Sequence, residues 1–358
     1  MNAASAAREI SFRILKAVYR GGYASDLLRR DTANLAPRDA ALAESIVFGC
    51  LRRRSQLDFL IAHFSGRTPL KLDEEVRIAL QMGIFQLRYL DRIPAHAAIM
   101  ESVELVKLAR KRSAAGFVNA VLRKVTRNPV GWPNRATEFS APGWLLEGWE
   151  QQYGKAAAEG IARAALEEPE SYDNPDTGRQ QDIGAQSIVP LLKIDPGMTV
   201  LDLCAAPGNK TAQILCLTGG AAGGQVVACD RSVRRLAEVP DTAARVALDA
   251  AEPLPFSTRF DRILVDAPCS GTGTLARNPE IKWRLTPADL TVFAARQRKL
   301  LENALPCLAR RGKLVYSTCS LERQENEAVV KGLPVEASRL RIPGRDPGDG
   351  FFAAVITP

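Results

Sequence analysis

RILVDAPCSGTG, residues 262–273, decides how the chain is read. Ile263, Leu264 and Val265 form a short apolar run with the character of a buried strand. The run ends in Asp266, Pro268 and Cys269, then in glycines that let the backbone approach a ligand closely. A carboxylate and a thiol at the carboxyl end of a parallel strand sit where open α/β sheets bind their ligands. The pattern recurs at residues 313–317, KLVYS, which lead into Thr318-Cys319-Ser320. If the two strands are neighbours, Cys269 and Cys319 face one pocket, with Asp266 beside them. One cysteine in such a place reads as an ordinary buried thiol. Two, at the ends of two strands, read as a site.

Working outward, the flanking sequence alternates strands with helices. Residues 199–203 read as a strand, and Cys204-Ala205-Ala206-Pro207-Gly208-Asn209-Lys210 as a tight loop before a helix through Leu217. Residues 225–229 form a second strand ending at Asp230, and 246–248 a weak third ending at Asp249. Thr286-Pro287-Ala288-Asp289 is a capping-box start for a helix to about Ala309. Residues 321–330 read as a helix and 351–356 as a last strand. This alternation predicts a doubly wound, Rossmann-like sheet over residues 182–358, entered by a helix over 182–193.

The first third is different. Residues 3–20, 39–64, 73–90 and 95–127 carry helical periodicity and almost no strand signal, with Pro69, Pro94 and Pro129 as punctuation. An all-α bundle of five helices over residues 1–130 is expected. Residues 131–181 form a connector, with a helix at 142–153 burying Trp144, Leu145 and Trp149, then a polar loop at 167–182. The fold class is therefore α plus α/β.

The formal charge is +8, and it is unevenly spread. Residues 1–130 hold 22 lysines and arginines against 12 acids, while the remainder is nearly neutral. A basic helical part that meets a polyanion is implied, with Arg52, Arg53 and Arg54 pointing to solvent and Lys111 and Arg112 in a second cluster. Seven cysteines without CxxC spacing and only two histidines, His63 and His96, argue against a zinc site. They also leave no Ser-His-Asp triad near the pocket. No signal peptide or membrane-length apolar run is present, and the free thiols fit a reducing cytoplasm. The expectation is a cytoplasmic monomer with no membrane contact.

The strand-end acids bear on the cofactor. An acid after the second strand suits ribose hydroxyls. The first loop lacks G-x-G-x-x-G, holding a single glycine, Gly208, beside Pro207, which argues against a pyrophosphate cradle. S-adenosylmethionine has an adenine and a ribose, no phosphate, and a cationic sulfonium. Acidic neighbours and no phosphate nest fit it better.

LDLCAAPGNKTAQI, DRILVDAPCSGTGTLARNPEIKW and LVYSTCSLERQENE together resemble the cytosine-carbon-5 RNA methyltransferases. MESVELVKLA and GFVNAVLRK in the helical part resemble the NusB-type RNA-binding domain, which narrows the resemblance to the bacterial small-subunit (16S) rRNA branch, the Sun/RsmB type. The resemblance implies a class I methyltransferase domain that uses S-adenosylmethionine, bound by residues 204–210, Asp230, Asp249 and Asp266. It implies Cys319 as nucleophile and Cys269 as the group that helps release the product. Carbon 5 of cytosine is a poor nucleophile, and a thiolate adding at carbon 6 activates it. Lys210 or the sulfonium would favour that thiolate, as would a helix N-terminus just after Cys319. Asp266 would support the ring-nitrogen edge. The target base must be unpaired or flipped.

The chain departs from the family pattern in a short connector at 167–182 and an abbreviated segment at 231–245, with Pro240 where a helix should run. Two other readings stay open: a NusB-like RNA-binding or ribosome-assembly factor whose enzyme half has eroded, and a cytosine methyltransferase acting on tRNA.

Overall fold

The computed structural model describes residues 4–219 and 224–358. The chain divides into two compact units. The first runs through Glu147 and adds Ala165–Glu167 and Leu275–Trp283. The second comprises Gly148–Ala164, Glu168–Thr274 and Arg284–Pro358. No helix among the described residues is long and apolar enough to cross a membrane.

The first unit is helical: α1 (Ala6–Tyr19), α2 (Ala24–Asp31), α3 (Pro37–Arg52), α4 (Arg54–Ser65), α5 (Glu74–Tyr89), α6 (Ala95–Leu108) and α7 (Ala115–Lys124). The periodic stretch 39–64 is two helices rather than one. The chain breaks at Arg53, whose backbone leaves the helical region at φ −106°, ψ 20°. The stretch 95–127 divides likewise, at Arg110, where φ is +61°. Helix α2 was not anticipated, because its charged sequence buries only Ala24 and Leu28. Ile14, Leu15, Ile46, Leu57, Leu60, Ile78, Leu80 and Leu105 pack one apolar core.

The arginine run does not point to solvent. Arg52 is buried, and its Nε donates to the Ala276 carbonyl at 2.8 Å. Its own carbonyl accepts from Lys282 Nζ, also at 2.8 Å. Arg53 lies over the Tyr89 ring, and Arg54 over Tyr19 and Trp283. Segment Leu275–Trp283 is thus held within the helical unit by residues that the charge pattern assigned to RNA. Lys111 pairs with Asp73 at 2.8 Å, whereas Arg112 is exposed.

The second unit is built on a seven-stranded sheet: β1 (Val200–Asp202), β2 (Val226–Asp230), β3 (Ala244–Ala247), β4 (Phe260–Asp266), β5 (Leu308–Thr318), β6 (Val335–Arg341) and β7 (Phe351–Ile356). The order is β3-β2-β1-β4-β5-β7-β6. Strands β1 to β5 pair in parallel, and β7 runs antiparallel between β5 and β6. The inner strands are covered on both faces, which is why they read as unbroken apolar runs. The order reverses between β1 and β4, and that is where a crevice opens beyond the carboxyl ends of the strands.

Several boundaries differ from expectation. Helix Pro287–Ala304 has its capping box at Thr286 and Asp289 but stops at Ala304, and a short turn through Pro306 leads into β5. Strand β5 therefore starts five residues before the apolar run. Strand β6 is a mostly exposed edge, so no apolar alternation announced it. Trp144 is only half-buried, while Leu145 and Trp149 are buried. The helix expected at 182–193 is two short turns, Ile183–Gln186 and Val189–Leu192. The connector holds a further helix, Lys155–Ala164.

Candidate functional site

Strands β4 and β5 pair in register, with Asp266 opposite Ser317, so the segments that follow them leave the sheet side by side. Ala267 N donates to Ser317 O at 2.8 Å and Gly273 N to Cys319 O at 2.9 Å, which ties the two segments beyond the strands. Gly273 is required here: a Cβ would stand 2.8 Å from Cys319 O and 2.3 Å from Gly350 O. The result is the juxtaposition expected from the motifs. Cys269 Sγ and Cys319 Sγ lie 3.4 Å apart.

Asp266 takes two donors. Ser317 Oγ donates to Oδ1 and Lys210 Nζ to Oδ2, both at 2.7 Å. Lys210 lies in the first turn of the helix Asn209–Thr218, which Gly208 admits at φ +102° with no room for a side chain against Val239. Burial works against the Lys210 ammonium, but Asp266, and Cys319 behind it, hold its pKa above the ordinary lysine value.

The two thiols are not equivalent. The hydrogen bond to Cys319, followed by burial, pushes the Cys269 thiol well above the usual cysteine range. At 3.4 Å either sulfur can donate to the other. The helix-terminus argument for Cys319 fails. Residues 321–326 are not helical, and only Glu327–Val330 forms a turn of helix. Side chains organise this stretch instead. Thr318 Oγ1 donates to Asn326 Oδ1 at 2.6 Å, Asn326 Nδ2 to Ser320 O at 2.9 Å, and Trp149 Nε1 to the buried Glu322 at 3.0 Å. Local periodicity lost to these bonds.

Beside the thiols, a cleft of about 300 Å³ opens at the strand ends, lined by Cys204, Asp230, Asp249, Pro268, Phe293 and Arg296 among others. Asp230 accepts from Ser232 N at 2.8 Å and Ala206 N at 3.3 Å, so its carboxylate retains acceptor capacity. Asp249 is already engaged: Ala251 N caps it at 3.0 Å, and Arg296 holds both oxygens at 3.0 and 3.2 Å. These contacts keep its carboxyl below the usual range, the backbone bond most of all. Strand β3 ends two residues before Asp249, so this acid sits in the following loop.

Two buried acids escaped the motif reading. Asp202 closes β1, accepts from Thr211 Oγ1 at 2.7 Å, and is pushed by burial up to about 7. Glu325 lies beneath both cysteine segments. The available signal was an acid inside an otherwise buried stretch.

Residues 189–342 match the family described as 16S rRNA methyltransferase RsmB/F, and residues 5–127 match the NusB family. The ribosomal RNA small subunit methyltransferase B of Vibrio cholerae serotype O1 is 32% identical, across 100% of this chain and 98% of that protein. The protein of the same name from Escherichia coli O127:H6 is 30% identical across 95% of each. A solved structure, that of PH0851, shares the fold across 100% of both chains with a TM-score of 0.79 at 19% identity. A helical NusB unit, a Rossmann-like sheet with paired strand-end cysteines, and full-length similarity agree: the chain belongs to the ribosomal RNA small subunit methyltransferase B family, enzymes that methylate RNA with S-adenosylmethionine.

Proposed function

We propose that this protein methylates carbon 5 of a cytosine in 16S rRNA through a covalent bond between Cys319 and the base. The observation that carries the reading is the pair of thiols 3.4 Å apart at the ends of neighbouring strands, beside the Lys210–Asp266 ion pair.

The cleft residues fit the cofactor. Asp230 has free acceptor capacity for ribose hydroxyls, and Leu248, Phe293 and Leu300 offer apolar walls for an adenine. The loop of residues 204–210, Asp230, Asp249 and Asp266 would hold S-adenosylmethionine. When bound, it supplies the electrophilic methyl group that carbon 5 accepts.

The chain's own residues do the rest. Cys319 Sγ forms a bond to carbon 6, which moves electron density to carbon 5. Asp266 and Lys210 are the charged pair assigned to the pyrimidine's nitrogen edge, where charge develops on addition. Water in the cleft then takes the carbon-5 proton, the C–H electron pair re-forms the carbon 5–carbon 6 double bond, and the Sγ–carbon 6 bond breaks with its electron pair returning to the Cys319 sulfur. Cys269, within hydrogen-bond distance of Cys319, assists that release. The target base reaches the thiols only when unpaired or flipped. Phosphate contacts are assigned to exposed cations of the helical unit, Arg112 with Arg123 and Lys124 at the end of α7, in place of the arginine run at 52–54.

Cys319→Ala should abolish both methyl transfer and any covalent RNA adduct. Cys269→Ala should accumulate a denaturation-resistant protein–RNA complex on a gel. Trapping by Cys319→Ala instead would reverse the roles, and full turnover in both variants without trapping would refute the covalent reading. Bisulfite sequencing of a deletion strain identifies the substrate: a methylcytosine lost from 16S rRNA supports the assignment, and one lost from tRNA redirects it.

A further inference from the structure

Each reactive cysteine is followed by a serine, and both serines converge on one acid. Ser320 Oγ donates to Glu325 Oε2 at 2.5 Å, and Ser270 Oγ donates to the same oxygen. Glu325 Oε1 accepts from Ser270 N at 2.8 Å and Gln297 Nε2 at 2.9 Å. The two serine hydroxyls are 3.0 Å apart. Tyr316 OH fixes the Glu325 backbone by donating to its carbonyl at 2.5 Å. Glu325, Ser320 and Gln297 are fully buried and Ser270 nearly so.

None of these four donors is a cation. Burying an acid on neutral donors alone costs more than burying an amide of the same shape. Loop anchoring by itself would be served as well by glutamine. The charge calls for a reason, and the reacting thiols are one residue away from both serines.

We propose that Glu325 is a positioning residue for the methyl-transfer reaction: it clamps the two cysteine segments together through Ser270 and Ser320 and sets an acid beneath the thiol pair. The inference rests on the covalent reading above. The clamp sets the thiol separation, because each cysteine is bonded directly to a serine that Glu325 holds. The charge acts on Cys269, for which Cys319, Glu325 and Tyr316 are the titratable neighbours and Lys210 and Asp266 the charged pair on the Cys319 side. A negative group at Glu325 opposes a second negative charge at Cys269.

The test uses the full chain. Glu325→Gln keeps the shape and removes the charge. Glu325→Asp keeps the charge and shortens the clamp by one methylene. Turnover on RNA should fall about ten- to a hundredfold in both, with KM for RNA within about twofold, since misplacement of reacting groups costs this much. Alkylation of each cysteine by iodoacetamide, followed by mass spectrometry across pH, separates the two effects. Cys269 should become reactive about one pH unit lower in Glu325→Gln and stay as in the wild type in Glu325→Asp. Turnover within about twofold of wild type in both variants, or an unchanged Cys269 profile in Glu325→Gln, overturns the proposal. If either variant does not fold, the double variant Ser270→Ala, Ser320→Ala replaces it. This removes both hydroxyl donors and keeps the charge; slowed turnover with an unchanged KM supports the clamp, and wild-type turnover overturns it. Cys319→Ala is the control. Retained methyl transfer there sinks the covalent reading itself, whereas an inactive Cys319→Ala beside active Glu325 variants sinks only this inference.

Discussion

Asp202→Asn should stabilise the protein above neutral pH and remove part of its pH dependence. Asp202 is fully buried at the end of β1. Its Oδ2 accepts from Thr211, and the Cys204 backbone lies near enough to favour the carboxylate weakly. Burial dominates and raises its pKa to about 7; Thr211 pulls the other way, Asp266 adds to the rise, and Lys210 offsets it. An aspartate in the unfolded chain titrates near ~3.9. The folded chain therefore binds this proton more tightly than the unfolded one. The stability it contributes is fully present below about pH 4 and is lost as pH rises through about 7. About three pKa units at ~1.4 kcal/mol each give a total near 4 kcal/mol. Between about pH 5 and about pH 8 the wild type should lose roughly 3 kcal/mol of this that the asparagine variant keeps. Desolvating the new amide costs about 1–2 kcal/mol, which leaves a net gain of about 2 kcal/mol at pH 8. Chemical denaturation of both proteins at the two pH values measures the difference. Parallel profiles across that range would refute the reasoning, because the other carboxylates are common to both proteins.

Two more predictions concern residues that the motifs and charge pattern singled out. Asp230→Ala should weaken S-adenosylmethionine binding by about 1–3 kcal/mol, the worth of a charge-assisted hydrogen-bond set, and calorimetry giving wild-type affinity would remove Asp230 from the cofactor site. Arg52→Ala should act on stability and leave RNA binding alone. It deprives the Ala276 carbonyl of its 2.8 Å donor in the helical unit and should cost about 1–3 kcal/mol in unfolding free energy, with the salt dependence of RNA affinity unchanged; a shallower salt slope would return Arg52 to the RNA surface.

The sheet was legible because its inner strands are apolar on both faces and end in residues no core needs. Asp266, Cys269 and Cys319 stand out against Ile263–Leu264–Val265 and Leu314–Val315–Tyr316, and register then brings the thiols together. Edge strand β6 was illegible because VEASRLR is largely exposed and pairs through backbone groups, which carry no side-chain signature. The arginine run misled for a related reason. Charge counting treats an arginine as its guanidinium, whereas Arg53 and Arg54 spread theirs over aromatic rings and Arg52 satisfies the Ala276 carbonyl. Residues 321–330 failed as a helix because Thr318, Ser320 and Asn326 bond to the local backbone and to one another.

That last failure bears on how the nucleophile is selected. A helix N-terminus after Cys319 would have favoured its thiolate by a dipole of fixed position. On the covalent reading proposed above, asymmetry between the thiols takes that part instead. Cys269 is penalised by its bond to Cys319, by burial and by Glu325 nearby, while Cys319 has Lys210 on its side of the pair. Selection by penalising one thiol needs both held at a short separation, since a penalty that arises through a hydrogen bond vanishes once the bond is broken. The register of β4 on β5 brings the segments within reach, and the bonds from Gly273 to Cys319 and from both serines to Glu325 hold them there. A change that loosens this grip should therefore blur which cysteine attacks as well as slow the attack.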